Sequence, residues 1–241
     1  MKDIGFRLFK YYLFDQFLWK HKIKEYKKEE NYFRMMEKLL FDEKFLSWQE
    51  KKLADAVFTV FDLETTGFLP TLGDEIVSMG AVKVNCRNEQ IEKPFYQIVK
   101  PFRRIPNEVY SITGFSKNDI ANGVDFLKAF DRFYEYSKNT ILVAHPASFD
   151  VMFLQKMVKR WGLPSYNPPF LDSYSLAKYL YPNRNIHLDS LILRHNIPIK
   201  ERHHALNDAL MTAQLFFAMM DELNFSKEDS VQKLCEAFKT G

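Results

Sequence analysis

The sequence predicts an α/β protein, a mixed sheet with helices packed on it and a helical segment in front. Two patterns and the chain's size carry this. Short runs rich in β-branched and aromatic residues, at 57–64, 76–84 and 91–99, read as three strands in succession, an antiparallel meander. Beyond residue 106 helical periodicity takes over and alternates with one more apolar run at 140–144. The chain of 241 residues is 46% hydrophobic and 27% charged, which suits one α/β domain with a sizeable core plus an appendage.

Residues 1–54 hold no proline, a single glycine (Gly5) and many helix formers, which predicts two or three helices. Aromatic residues are dense there. Sets such as Phe6, Phe9, Leu13, Phe17 and Leu40, Asp42, Phe45, Trp48 include the three- and four-residue steps of a helix face. An aromatic-faced extension packed on the main domain accounts for this better than a nucleic-acid or partner surface, and the lysines between Lys20 and Lys28 read as a solvated face.

The first strand climbs to Asp62 and Glu64 and breaks at Thr65-Thr66-Gly67. A period of two puts both acids on one side and Leu63 on the other. Side-by-side carboxylates repel and are costly to desolvate, so the pair asks for a cation, although a lone Asp-x-Glu reads equally well as a solvated strand end. Thr71-Leu72-Gly73-Asp74 is turn material ahead of the second strand. Pro106 lies in the first turn of a helix that Thr113-Gly114 stops, and Ser116 to Asp119 caps another. Val124, Leu127, Phe130 and Phe133 share one face of a third. The 140–144 strand delivers the chain to His145 and to a helix running to Trp161, with Gly162 and Pro164 beyond it. Shorter helices at 172–181 and 187–195 precede a long one at 205–223, and Ser226 to Asp229 opens a last short one.

No stretch approaches the roughly 18 to 20 uninterrupted apolar residues of a membrane helix. The first residues lack the apolar core and cleavage site of a signal peptide, so a soluble, cytoplasmic protein is expected. Cys86 and Cys235 stand far apart without neighbours at ligand spacing, which argues against a disulfide framework or a zinc site. The net charge of +3 is uneven: residues 1–54 hold 13 Lys and Arg against 9 Asp and Glu, residues 55–241 hold 21 against 22. A near-neutral domain binds a polyanion only where metal ions or local cations offset its acids.

Four acids and a histidine recur at the edges of these elements: Asp62 and Glu64 after the first strand, Asp150 on the helix after the fourth, Asp208 at the start of the long helix and His203 just before it. Each has a plain explanation alone, such as a first-turn acid favoured by the helix dipole. Apolar neighbours crowd Asp62 and Asp150, where solvent-facing acids would not need them. Helix geometry alone would select His204, four residues before Asp208, as the histidine sharing its face.

In order and spacing, Phe61-Asp62-Leu63-Glu64-Thr65-Thr66-Gly67, His145-Pro146-Ala147-Ser148-Phe149-Asp150 and His203-His204-Ala205-Leu206-Asn207-Asp208-Ala209 resemble the three motifs of the DEDDh branch of DnaQ-like 3′-5′ exonucleases. Within it the likeness is nearest to the epsilon (proofreading) type of bacterial DNA polymerase III. Residues 76–82 resemble the family's second strand and Ile112-Thr113-Gly114-Phe115 its substrate-side turn, so the likeness covers about residues 55–223. It implies a ribonuclease-H-like fold with a five-stranded mixed sheet, occupying 55–225 between a helical extension at 1–54 and a short C-terminal helix at 226–241.

The resemblance further implies metal-dependent hydrolysis at the 3′ ends of single-stranded or frayed DNA, releasing nucleoside 5′-monophosphates in proofreading or repair. Two divalent ions, Mg2+ or Mn2+, suit such all-oxygen carboxylate ligands. Asp62 would bridge them, Glu64 and Asp208 would complete the nucleophile-side ion, and Asp150 would hold the second. The family's spacing makes His203 the general base. Leu63, Thr65, Thr66, Gly67, Phe115 and His145 would hold the terminal nucleotide. Relatives carry Asn where this chain has Pro146, which implies altered hydrogen bonding beside the site with the ligands kept. DNA ends are then the expected partner, with a DNA polymerase subunit as associate and no membrane. Two alternatives stay open: an exoribonuclease of the ribonuclease T or oligoribonuclease type, because recognition of the 2′-hydroxyl rests on few contacts, and a non-catalytic polymerase-associated module.

Overall fold

The computed structural model describes residues 11–41, 47–87, 90–92 and 94–239, with Gly5 and Phe9. Phe6, Asp42 and Phe45 lie outside the described residues. One mixed sheet holds β1 (Val57–Thr65), β2 (Ile76–Asn85), β3 (Gln90–Ile91), β4 (Phe95–Ile98), β5 (Ile141–Ala144) and β6 (Phe170–Asp172). Its order is β3-β2-β1-β5-β6, with β4 also on β2. β1 runs antiparallel to β2 and parallel to β5, and β5 parallel to β6.

Among the described residues the sheet has six strands where five were expected. Pro94 has no N–H to give a ladder. The run at 91–99 therefore divides, and its two pieces share one edge of β2, Ile91 opposite Val84 and Phe95 to Ile98 opposite residues 78–81.

Among the described residues the α-helices, in chain order, are α1 (Gln16–Tyr26), entered through a helical turn at Tyr11–Asp15, α2 (Glu30–Leu40), α3 (Asn107–Thr113), α4 (Lys117–Ala121), α5 (Phe126–Ser137), α6 (Ala147–Arg160), α7 (Ser173–Leu180), α8 (Leu188–Arg194), α9 (Ala205–Glu222) and α10 (Val231–Lys239). Local chemistry sets their limits. Gly114, in the left-handed region, closes α3. Ser116 and Asp119 form the reciprocal capping box that opens α4.

The two faces of the sheet bury separate cores. Phe61 and Leu63 point into one with α5, α6 and Trp161; Phe58 and Val60 point into the other with Leu215, Phe216 and Met219 of α9. Asp62 and Glu64 continue the line of Phe58 and Val60, so they emerge where α9 begins.

The N-terminal helices join the first core. Trp19 packs edge-on against Phe102 at 4.7 Å and Trp161 at 6.1 Å between ring centroids. The Tyr32 hydroxyl donates toward the carbonyls of Trp161 (3.1 Å) and Gly162 (2.9 Å). Lys38 Nζ lies 2.5 Å from both Asp131 and Glu135 of α5. Tyr12, Phe14, Phe17 and Leu18, by contrast, face solvent. Among the described residues no helix is long and apolar enough to cross a membrane.

Candidate active site

The acids converge because three elements are forced close together. Across the sheet Asp62 stands opposite Gly80, and Gly80 opposite Tyr96. The first residues of α9 lie directly on Gly80, where any Cβ would overlap the backbone of Ala205 and Leu206. Only glycine permits that approach. It brings Asp208, in the first turn of α9, over the acids of β1. Asp150 arrives from the first turn of α6.

Asp150 and Asp208 are each only 4% exposed, whereas Asp62 and Glu64 keep a partial opening to solvent. Burial drives the Asp62 carboxyl well above its ordinary range, and the charges of Asp150, Glu64 and Asp208 add to this. Burial, then Asp208, lifts Glu64 to about 8. Burial, then Glu64 and Asp172, raises Asp150. Asp208 is raised by burial against the opposing pull of Arg202. Each acid is held in a state that a nearby cation would relieve.

The two histidines part company. His203 takes a left-handed backbone, φ 59°, which reverses the chain ahead of α9, and its N–H donates to Asp208 Oδ2 at 3.1 Å. A ring nitrogen of His203 and carboxylate oxygens of Glu64 and Asp208 lie within 4.8 Å of one another. His204 instead stacks on Tyr96, 4.5 Å between centroids and 18° from parallel. A buried set of carboxylates with one imidazole at its mouth fits a hard divalent cation.

The residues expected at the substrate are less uniform. Thr65 Oγ1 donates to the Gly67 carbonyl, at 2.8 Å, in the turn that leaves β1. Thr66 is buried, its Oγ1 accepting from Glu75 N at 3.0 Å and facing Asp74 at 3.3 Å. A Cβ on Gly67 would strike the Asp74 carboxylate. Leu63 packs in the core on the far face of β1. His145 has both ring nitrogens engaged within the protein, at 2.9 Å from Ser173 Oγ and 2.9 Å from the Ile186 carbonyl, and burial lowers its pKa. Phe115 is half-buried beside Val77, Ile105 and Ile120.

Three neighbours escaped sequence reasoning. Arg202 pairs with Asp208 and, through Nε, with Asp189 Oδ1 at 2.5 Å. Asp172, which caps α7, also accepts from Ser148 N at 2.9 Å and raises Asp150. Tyr96 lies in the same row of the sheet as Asp62, its hydroxyl pushed up to about 12 by burial. Only Arg202, beside the motif histidine, carried a local signal.

A family model described as an exonuclease matches residues 59–216. The DNA polymerase III PolC-type of Thermotoga maritima is 33% identical over 188 residues, 77% of this chain and 14% of the relative. A DNA polymerase III subunit epsilon-like protein of Rhodobacter capsulatus is 34% identical over 177 residues, 72% of this chain and 25% of the relative. The chain thus spans a minor part of the length of these curated relatives. Among solved structures, the DEDDh nuclease domain of 3′hExo bound to rAMP matches with TM-score 0.63 at 18% identity, covering 69% of this chain and 92% of that one. Exonuclease X in complex with 5′ overhanging duplex DNA matches with TM-score 0.58 at 22% identity, covering 75% and 99%. At these identities the structures attest the ribonuclease-H-like fold.

Proposed function

The chain belongs to the exonuclease family, and from that premise we propose that it hydrolyses the terminal phosphodiester at the 3′ end of single-stranded or frayed DNA, releasing nucleoside 5′-monophosphates. One observation carries the reading: four carboxylates from three separate elements are gathered, burial raises all four and neighbouring acids raise Asp62, Glu64 and Asp150 further, with His203 at their edge. Structural carboxylates are not usually gathered this way, because each unneutralised neighbour costs stability.

Asp62, Glu64, Asp150 and Asp208 would hold two divalent ions, Mg2+ or Mn2+, with Asp62 shared, Glu64 and Asp208 on the nucleophile side and Asp150 on the other. When bound, such ions make water nucleophilic near neutral pH and neutralise charge on the attacking and leaving oxygens. His203 takes the proton of the attacking water on its ring nitrogen, and the bond to the 3′ oxygen of the shortened strand breaks. The ring nitrogen within 4.8 Å of carboxylate oxygens of Glu64 and Asp208, and the engagement of the His204 ring with Tyr96, support His203 for this role. Thr65 and Gly67 border the strand end and are the side that grips the terminal nucleotide. His145 acts at one remove, bracing the start of α6 through Ser173, whose hydroxyl also donates to the Ala144 carbonyl at 2.7 Å.

DNA as the polymer, and a DNA polymerase as the associate, draw support from the relatives' names. The test is to incubate the protein with 5′-labelled DNA and RNA oligonucleotides of one sequence, with Mg2+, Mn2+ or chelator. A metal-dependent ladder shortening from the 3′ end of DNA is expected. A ladder on RNA alone overturns the polymer assignment, and none on either substrate overturns the enzyme.

A further inference from the structure

At the opposite end of α6 from Asp150 lies a cavity of about 290 Å³, between the N-terminal helices and the loop at 70–71. It is lined by Lys20, Lys156, Lys159 and Arg160 together with Tyr11 and Trp19, and among the described residues no acid lines it. Arg160 forms a fixed floor. It donates to the carbonyls of Asp74 (3.0 Å) and Pro70, and its guanidinium lies 5.0 Å from the Trp19 ring centroid and 6.0 Å from that of Tyr11.

The acids of the neighbouring 74–75 segment are already committed. Asp74 pairs with Arg103 at 2.5 Å and accepts from Leu69 N at 2.9 Å. Glu75 accepts from the N–H groups of Phe102 (3.0 Å) and Arg103 (2.7 Å). Among the described residues no carboxylate pairs with Lys20, Lys156 or Lys159. Three lysines around one concavity repel each other unless an anion enters.

We propose that this cavity is a phosphate-binding site for the single strand whose 3′ end occupies the candidate active site. The proposal rests on the exonuclease reading and adds a second anchoring point for the strand. The aromatic rings are covered by Arg160, so recognition is by charge and indifferent to sequence. Asp150 and Arg160 mark the first and last turns of one helix, about 15 Å apart at 1.5 Å per residue. At the roughly 3.4 Å rise of a stacked helical strand that is at most about four phosphates, and fewer if the strand is extended, so a dinucleotide cannot reach the cavity and a dodecanucleotide can. The same loop joins the two places, with Thr65 and Gly67 at its start and Pro70 and Thr71 at the cavity.

The experiment compares the wild type with Lys20→Gln/Lys156→Gln/Lys159→Gln. Binding of a fluorescent dodecathymidylate is followed by anisotropy in chelator against salt concentration, so that it is read independently of hydrolysis. The triple variant should bind about tenfold more weakly at low salt, with a log–log salt slope smaller by about 2, since each phosphate that a lysine neutralises on a single strand adds roughly 0.7 to that slope. Its hydrolysis of a dithymidylate with Mg2+ should be unchanged. Unchanged dodecamer affinity and slope would overturn the proposal, as would an equal loss on the dinucleotide. A third arm measures the thermal shift given by inorganic phosphate. Loss of that shift with dodecamer affinity retained would make the cavity a small-anion site and overturn the strand assignment. Lysine-dependent dodecamer binding by a chain that cleaves nothing would uphold the cavity and reject the exonuclease reading.

Discussion

The two ends of α6 are electrostatic opposites. At its first turn Asp150 joins Asp62, Glu64 and Asp208, acids whose strong cation among the described residues is Arg202; toward its end Lys156, Lys159 and Arg160 meet Lys20 around a cavity that no described acid lines. Both placements agree with the helix dipole, which favours acids at the start and bases at the end. The dipole is worth only about half a charge at each end, so neither cluster is neutralised by it. On the proposed reading, concentrated charge with too little protein counter-charge marks where external counter-charge would be taken up, divalent cations at one end and phosphates at the other. A metal-dependent nuclease needs both, in that order along its substrate.

The largest expected effects belong to the acidic end. Asp62→Ala should lower the exonuclease rate by about 10³-fold or more, because it removes the carboxylate the two ions would share and with it several kcal/mol of charge stabilisation. Single-turnover release of the terminal nucleotide measures this, and a loss under tenfold would detach Asp62 from the chemistry. His203→Ala should cost about 10²–10⁴-fold, the range of general base catalysis, while His204→Ala stays within about tenfold. The reverse ranking in the same assay would move the base to the ring stacked on Tyr96.

Much of the acidic end was legible in the sequence, because Asp62 and Glu64 share a strand face by period alone and the motif spacings place Asp150, His203 and Asp208 at helix starts. Arg202, Tyr96 and Asp172 were not. Tyr96 reaches the site only through the register Asp62–Gly80–Tyr96, and a register is a pairing between strands that no single strand announces. Gly80 read as one residue of a strand, yet it is what lets α9 close on β1. The helices from 107 to 137 were legible from caps and periodicity. β6 was not, since Phe170–Asp172 is three residues long behind two prolines and gains its identity from pairing with β5. The basic cavity was illegible for a similar reason. Lys20 belongs to what read as a solvated charge run, and it meets Lys156 and Lys159 only because Trp19 docks beside Trp161.

Arg202 sharpens the contrast, since it is a protein cation that intrudes on the acids. A metal ion binding Asp208 competes with its guanidinium, so Arg202→Ala should tighten the apparent affinity for Mn2+ about tenfold, a difference of about 1.4 kcal/mol. Calorimetric titration reads it, and weaker binding in the variant would make Arg202 an organiser of the site.

The acid repulsion also has a pH signature. The Glu64 carboxyl is raised from its ordinary 4.5 to about 8 in the folded chain, so the folded state holds the proton more tightly than the unfolded one. Its stabilising contribution is complete below about pH 4.5 and is lost as pH rises to about 8. In chelator the melting temperature should therefore fall across that window. Saturating Mg2+ or Glu64→Gln should flatten the fall, and a curve unaffected by either would show that the acids do not repel. The smallest effect belongs to the frame. Tyr32→Phe removes the hydroxyl that ties α2 to Trp161 and Gly162 and should cost about 1 kcal/mol in chemical denaturation; no change would mean that this tie adds nothing to the docking of the N-terminal helices.

The most direct measurement titrates Mn2+ into the chain at pH 7 in two buffers of different ionisation enthalpy, which counts the protons released with each ion. Glu64 at about 8, with Asp62 and Asp150 also raised, means that protons must leave for the cation to enter. The predicted result is binding with about one proton or more released per ion, a number that shrinks toward pH 9 and a binding event that Asp62→Ala abolishes or greatly weakens. Failure to bind, or binding that releases no protons and ignores Asp62→Ala, would contradict the assignment of these carboxylates as the cation-holding centre.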